Sequence, residues 1–418
     1  MGSVKKRKNR ERELTMDRNI LTEYVRKTDK AQIENGFCYD QEQEYYPIDK
    51  TADSMIPRNL LAKGSSSIES GIYEVEVNIK ANTNIHRIFL FSNSRQLRDI
   101  ISLEKGKCYK KTFFQSITQL IPDFEKECQT IESIYVTACV KETEEADVYC
   151  SFKKADPCRR IFICGDSTVT NQSARKPYLP GSSYGSWGQA LPYFLEGRIA
   201  VDNQAHSGQT SKICLEEGHF QIVMDHIRQG DLCLIQFGHN DQKCEDLKAS
   251  EGYRKRILLM ISKLREKGAV PVLVTPLARN TWDAQGEYKD LLENYAQEIG
   301  KIGKEFQVPV IDIHQYAMQI WKQLGFLEST SYFYPNDYTH TNDFGSYMIA
   351  KKIAEELSEK FPTWIQLRLE TDAMTVPKHL WERLQKVEKH TNESASLSER
   401  ERYHKMEMSL QSLLDSTF

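Results

Sequence analysis

Near residue 155 the hydrophobic rhythm of this chain changes, and different folds are open to it on either side. From Gly71 to Cys150 apolar residues recur at every second position. In the stretch 71–79, Tyr73, Val75, Val77 and Ile79 fall on one face, with Glu74 and Glu76 on the other. Residues 87–91, 112–114 and 133–140 continue the series with polar turns between them. This rhythm predicts a small antiparallel β-sandwich. From Arg160 the apolar runs are short and lack alternation, at 160–164, 198–201, 231–237, 270–274 and 308–311. Strands of that kind are buried on both faces of a parallel sheet. Helix-like stretches at 252–267, 289–306 and 343–361 separate several of them. Alternating strand and helix predicts a three-layer α/β/α arrangement with right-handed crossovers.

At 418 residues the chain exceeds what one core usually supports. Three regions are therefore expected: 1–155, an N-terminal region with a β-sandwich accessory domain; 156–364, the α/β domain; and 365–418, a helical C-terminal extension. The extension is charged and helical in pattern from 378 to 414, with turn formers at 391–398. It reads either as a dimerisation element, making the protein a homo-oligomer, or as a solvated tail docked on its own domain. A formal net charge of −3 gives no global pull toward nucleic acid or an anionic membrane. The basic run 5–10 is broken at once by Glu11 and Glu13 and reads as a solvated terminus. No apolar signal core follows it and no stretch is long enough to span a bilayer, so a cytoplasmic protein is expected. The ten cysteines include no Cys-x-x-Cys pair, and no Cys/His cluster has zinc spacing. The expectation is neither metal, cofactor nor disulfide framework.

In an open α/β sheet, ligands bind beyond the carboxyl ends of the strands. Four segments sit there. Gly165-Asp166-Ser167-Thr168 follows the first strand, with Ser167 expected to open a helix; taken alone, the segment reads as a Ser or Asp N-cap. After the second strand comes a polar loop with Gly208, where a backbone amide can approach a ligand, or where a glycine simply turns the chain. Gly238-His239-Asn240-Asp241 follows the third, with Asn240 offering an amide donor or closing an Asx turn. Asp337 and His340 lie three apart before the last helix. That spacing can set a carboxylate on one imidazole nitrogen while the other faces a hydroxyl.

Together, and in this order, the four blocks resemble those of the SGNH, or GDSL-like, hydrolase superfamily. Within it the chain is similar to the rhamnogalacturonan acetylesterase-like group, carbohydrate esterase family twelve. Gly165-Asp-Ser-Thr-Val169, Gly185-Ser-Trp-Gly188, residues 203–208, Phe237-Gly-His-Asn-Asp241, residues 275–279 and Thr339-His-Thr-Asn342 carry the likeness, which covers about 160–361. One departure is the polar, turn-prone Asn336 in a long connection after Leu324. The resemblance implies a serine esterase that removes O-acetyl groups from carbohydrate, with pectic, rhamnogalacturonan-derived oligosaccharides as substrate. Ser167 is then the nucleophile, His340 the base and Asp337 its orienter. Ser167, Gly208 and Asn240 supply the oxyanion donors. His239, Arg279 and Trp187 are candidate substrate contacts: Arg279 for a galacturonate carboxylate, His239 either for substrate or as a loop brace, Trp187 for a sugar ring or as core. Two other readings compete: a lipase or thioesterase of the same fold, and an inert glycan-binding protein.

Overall fold

The computed structural model describes residues 24–26, 55–62, 68–121, 127–131, 134–141, 143–155, 158–174, 178–283, 285–369, 373–377 and 380. The basic run at 5–10 lies outside them, as does the C-terminal helical pattern beyond 380 with its dimerisation reading. In chain order the strands are β1 (Tyr24–Arg26), β2 (Met55–Ala62), β3 (Gly71–Ala81), β4 (Ile85–Ser92), β5 (Gln96–Leu103), β6 (Cys108–Ile117), β7 (Gln119–Leu120), β8 (Gln129–Thr130), β9 (Ile134–Lys141), β10 (Ala146–Lys154), β11 (Arg159–Gly165), β12 (Leu195–Glu196), β13 (Ile199–Asn203), β14 (Leu232–Gln236), β15 (Val270–Val274), β16 (Val310–Ile311) and β17 (Gln366–Leu367). The helices are α1 (Trp187–Ala190), α2 (Ser211–Glu216), α3 (His219–His226), α4 (Arg254–Glu266), α5 (Glu293–Phe306), α6 (Ile313–Ser329) and α7 (Asp343–Lys360).

The parallel strands run in the order β13-β11-β14-β15-β16. The chain leaves β11 toward β13 on one side and returns to β14 on the other, so the crevice beyond β11 and β14 is a topological switch point. Every residue of β14 is buried, as is β11 after Arg159, which explains their lack of alternation. Helix α4 is buried along one apolar stripe, in which Ile257, Met260, Ile261 and Leu264 recur at helical spacing. Among the described residues no helix is long and apolar enough to cross a membrane.

The antiparallel strands form two layers. One is a five-stranded sheet, β1-β2-β9-β4-β5. The other, β10-β3-β6, is no separate sheet: β6 pairs in parallel with β13 through Ala200↔Phe114 and Val201↔Gln115. The division expected between residues 155 and 156 thus falls inside one hydrogen-bonded eight-stranded sheet. Strand β4 shows how tightly the layers are joined. Ile88 and Leu90 enter the core between the antiparallel layers, with Val75, Val77 and Val136. Phe89 and Phe91 point the other way, into the core that holds Tyr178, Trp187 and Leu191. Burying each such side chain stabilises by roughly 1.5–3 kcal/mol.

Strands β5 and β10 and helices α2, α3 and α6 were not expected from the sequence. Helix α6 carries the chain past Leu324 only as far as Ser329; Gly325 interrupts it with φ 78°, which breaks the apolar period. The segment from 365, expected to open the helical extension, begins instead as β17, paired with β12 through Leu195↔Leu367.

Candidate active site

Beyond β11 the chain turns at Gly165, where a Cβ would lie 2.7 Å from the Val169 side chain and 2.9 Å from the Gln236 carbonyl oxygen. Any larger residue would force β14 and this turn apart. Asp166 closes the turn, its Oδ1 accepting from the Thr168 amide at 2.9 Å and the Thr168 hydroxyl at 2.8 Å. The sequence predicts that Ser167 opens a helix; it sits instead in a tight turn, and the next helix starts at Trp187. Gln172 reaches back and donates Nε2 to the Ser167 carbonyl at 2.5 Å.

The last loop brings its histidine to that serine. Asn342 caps α7, its Oδ1 accepting from the Phe344 and Gly345 amides at 3.0 and 3.1 Å. Ahead of it, Asn336 takes φ 58°, a left-handed conformation that asparagine tolerates. Asp337 Oδ1 accepts from the amides of Thr339 and His340 at 2.7 and 2.8 Å. Its Oδ2 lies 2.8 Å from His340 Nδ1, and His340 Nε2 lies 2.7 Å from Ser167 Oγ. A carboxylate, an imidazole and a hydroxyl thus stand in one line at the switch point. Burial disfavours the imidazolium of His340, but the charge and hydrogen bond of Asp337 outweigh it and raise the pKa above the ordinary 6.5. Burial likewise pushes the Asp337 carboxyl up; His340 and the two amides overcome this and hold it below the usual carboxylate value.

The second and third loops meet each other and are tied to the first turn, His206 donating its amide to the Gly165 carbonyl at 3.1 Å and His239 Nδ1 lying 3.2 Å from Asp166 Oδ2. Gly208, with φ 76°, is exposed, and a Cβ on it would touch nothing within 4 Å, so its conformation rather than space calls for glycine. Asn240 Nδ2 donates to the carbonyl of neighbouring Gln209 at 3.1 Å, while its Oδ1 accepts from Lys243 Nζ at 3.1 Å. Asp241 ties the loops together: its Oδ1 accepts from the Ser211 amide at 3.0 Å and the Ser211 hydroxyl at 2.5 Å. Burial raises the Asp241 pKa to about 6, with the Ser211 bonds opposing.

Of the three candidate substrate contacts, Trp187 takes its core reading and His239 its loop-brace reading, and Arg279 is corrected by its burial. Trp187 is only 1% exposed and donates its indole N–H to Gln236 Oε1 at 2.8 Å; it belongs to the core. Arg279 is 3% exposed and donates to the His239 carbonyl at 3.3 Å, away from any open face. Burial lowers its pKa to about 10, with Asp166 and Asp337 opposing. His239 is buried with both ring nitrogens on protein acceptors, Nδ1 to Asp166 Oδ2 at 3.2 Å and Nε2 to the Leu277 carbonyl at 2.9 Å. It braces the loop. Asp166 is ionised: burial opposes its charge, but His239 and Thr168 hold its pKa below the usual carboxylate value. The aromatic residues nearest the line are Tyr184, whose ring edge meets His340 at 5.7 Å, and Tyr334, stacked on Tyr184 at 3.7 Å. Sequence reasoning assigned no task to Asp166, Gln172 or Asp241. For Asp166 and Asp241 the signal was their place inside the motif blocks; for Gln172 there was none.

Residues 163–346 match the GDSL-like lipase/acylhydrolase family. The chain is 33% identical to rhamnogalacturonan acetylesterase RhgT of Bacillus subtilis (strain 168) over 213 residues, 48% of this chain and 90% of that protein. It is 32% identical over 207 residues to the probable rhamnogalacturonan acetylesterase YesY of the same organism, covering 48% of this chain and 92% of that one. The solved structure of protein YxiM from Bacillus subtilis superposes with a TM-score of 0.47 at 20% identity, covering 73% of this chain and 82% of that one.

Proposed function

The chain belongs to the GDSL-like lipase/acylhydrolase family, on its rhamnogalacturonan acetylesterase side, and is a carboxylic ester hydrolase; from this premise we propose that it removes O-acetyl groups from pectic, rhamnogalacturonan-derived oligosaccharides through a Ser-His-Asp acyl-enzyme mechanism. One observation carries the mechanism: the unbroken contacts from Asp337 through His340 to Ser167, at 2.8 and 2.7 Å. Ser167 Oγ attacks the acetyl carbonyl while His340 Nε2 takes its proton, and Asp337 holds Nδ1–H and steadies the imidazolium. The oxyanion that forms is met by the amides of Ser167 and Gly208 and by Asn240 Nδ2. His340 returns the proton to the departing sugar oxygen, the carbon–oxygen bond breaks, and an acetyl group remains on Ser167. Water, activated by the same imidazole, then releases acetate.

The substrate reading is supported by the relatives RhgT, a rhamnogalacturonan acetylesterase, and YesY, a probable one, and by the rim. Tyr184 and Tyr338, both half-buried, present aromatic and hydroxyl character suited to sugar rings, whereas a long acyl chain calls for an aliphatic mouth. The test is acetate release from acetylated rhamnogalacturonan and xylan oligosaccharides, alongside nitrophenyl esters of increasing chain length. Preference for the pectic substrate and a sharp decline beyond propionate are expected. Equal rates on octanoate and acetate would overturn the deacetylase reading, and full activity of Ser167→Ala would overturn the mechanism.

A further inference from the structure

The hairpin between β4 and β5 carries two residues other than glycine in the left-handed region, Asn93 at φ 41° and Arg95 at φ 63°. Backbone strain of this kind persists only where the surroundings enforce it. The tip is not in solvent: Ser92, Asn93, Arg95 and Gln96 are all buried. Asn93 is pinned to the neighbouring strand, donating its amide to the Tyr135 carbonyl at 2.9 Å. What the strained turn achieves is direction. It aims the Arg95 side chain out of the antiparallel layer and into the α/β layer.

There the guanidinium forks. Nη1 donates to the carbonyls of Ser173 at 2.9 Å, Tyr184 at 2.5 Å and Gln172 at 3.4 Å, and Nη2 donates to Asp343 Oδ1. The ring of Tyr178 lies under the guanidinium at 5.4 Å, and its hydroxyl donates to the same Asp343 oxygen at 3.0 Å. These partners belong to two segments. On one side is Gln172, which itself holds the Ser167 carbonyl at 2.5 Å. On the other is the segment of Tyr184 and Gly185, paired with the residues after His340: the Gly185 amide donates to the Thr341 carbonyl at 2.8 Å and the Thr341 hydroxyl to the Gly185 carbonyl at 2.8 Å. Asp343 opens α7, three residues past His340.

We infer that Arg95 is a positioning residue for the ester hydrolysis: one buried guanidinium, supplied by the antiparallel layer, sets the Ser167 segment and the His340 segment at their working separation. The inference rests on the Ser-His-Asp reading above. It reaches beyond the family segment 163–346, since residue 95 lies outside it. Proton transfer from Ser167 to His340 depends steeply on their 2.7 Å contact. A displacement of about 1 Å costs roughly 100-fold in rate. Lysine cannot replace the fork, because an ammonium is a point charge that cannot span three carbonyls and a carboxylate in one plane.

The experiment compares wild type, Ser167→Ala, Arg95→Met, Arg95→Lys and Arg95→Ala on an aryl acetate. Rates are taken per active site titrated with a fluorophosphonate, or per mole of folded protein for Ser167→Ala, which has no hydroxyl to label, and Tm is recorded alongside. Expected are a kcat about 100-fold lower in Arg95→Met and Arg95→Lys with KM within about twofold, and partial recovery of kcat in Arg95→Ala on adding millimolar guanidinium. A kcat per titrated site within twofold of wild type in Arg95→Met, with only Tm lowered, overturns the inference and leaves the mechanism standing. Retained activity in Ser167→Ala overturns the mechanism, and this inference with it. Should the Arg95 variants fail to fold, Gln172→Leu cuts the link to Ser167 while keeping the Arg95–Asp343 pair. A fall in kcat of about tenfold is then expected, from a smaller displacement, and an unchanged kcat overturns the inference.

Discussion

Two histidine–carboxylate pairs flank Ser167, one in the loop before α7 and one in the loop after β14, and they are finished differently. His340 is half-buried, with Asp337 on Nδ1 and the Ser167 hydroxyl on Nε2. His239 is fully buried, with Asp166 on Nδ1 and the Leu277 carbonyl on Nε2. The residue types are the same and the carboxylate distances are similar, at 2.8 and 3.2 Å. What differs is the group facing the second nitrogen. A hydroxyl there has a proton to give, whereas a carbonyl can only accept one, so Nε2 of His239 must carry its own proton and cannot act as a base. A carboxylate beside a histidine is therefore no sign of catalysis until the opposite nitrogen is inspected.

The sharpest way to break this contrast is Ser167→Ala, expected to cost about a million-fold in aryl-acetate turnover; a loss under tenfold would mean that His340 serves no hydroxyl. Next, Asp337→Asn should lower kcat by about 10,000-fold through the wrong imidazole tautomer, with Tm nearly unchanged because the side chain keeps its shape. Rates close to wild type would erase the distinction between the two loops. If Asn240 serves the oxyanion as proposed, Asn240→Ala is expected to cost roughly 100- to 1,000-fold, in kcat rather than KM; a change confined to KM would move Asn240 to the substrate side. His239→Ala should show the reverse pattern. Burial favours the neutral imidazole of His239, so removing it leaves the buried Asp166 carboxylate without one hydrogen-bond partner and destabilises by about 1–3 kcal/mol in denaturant unfolding, while kcat per titrated site stays within about tenfold. A large kcat loss at unchanged stability would place His239 in the chemistry.

The smallest effect expected is on pH dependence. His340 must be neutral to accept the serine proton, and Asp337 raises its pKa above 6.5 against burial. The kcat/KM of the wild type should therefore fall as pH drops through a value above 6.5. In Asp337→Asn the residual activity should show that limb at lower pH, because the charge favouring the imidazolium is gone. A limb that does not move would assign the titration to another group.

Much of the site was legible in the letters because each part sits in a short segment at a strand's carboxyl end. Asp337 and His340 are three residues apart, and the geometry that joins them is local. The meeting of His340 with Ser167, 173 residues away, follows from the parallel sheet that short, unbroken apolar runs separated by helices announce. The buried strands β11 and β14 were legible for the same reason. What could not be read is burial. Trp187 and Arg279 have side chains suited to sugar and carboxylate, and nothing in their neighbours along the chain tells that both face inward. Arg95 was beyond reach altogether: its carboxylate partner lies 248 residues away, and its φ of 63° has no glycine to mark it. The same holds for the join of β6 to β13, since alternation at 112–114 speaks of an antiparallel strand and says nothing about which neighbour it takes.

That join also decides how the protein can be trimmed for expression. A shortened form starting at residue 156 would bare the side of β13 that Phe114 and Gln115 cover, and with it the apolar surface that Phe89, Phe91 and Leu97 seal. An open strand edge beside fresh apolar surface is a template for self-association. Such a fragment is expected in inclusion bodies, and a lysine placed on the outer edge of β13 is the first remedy to try.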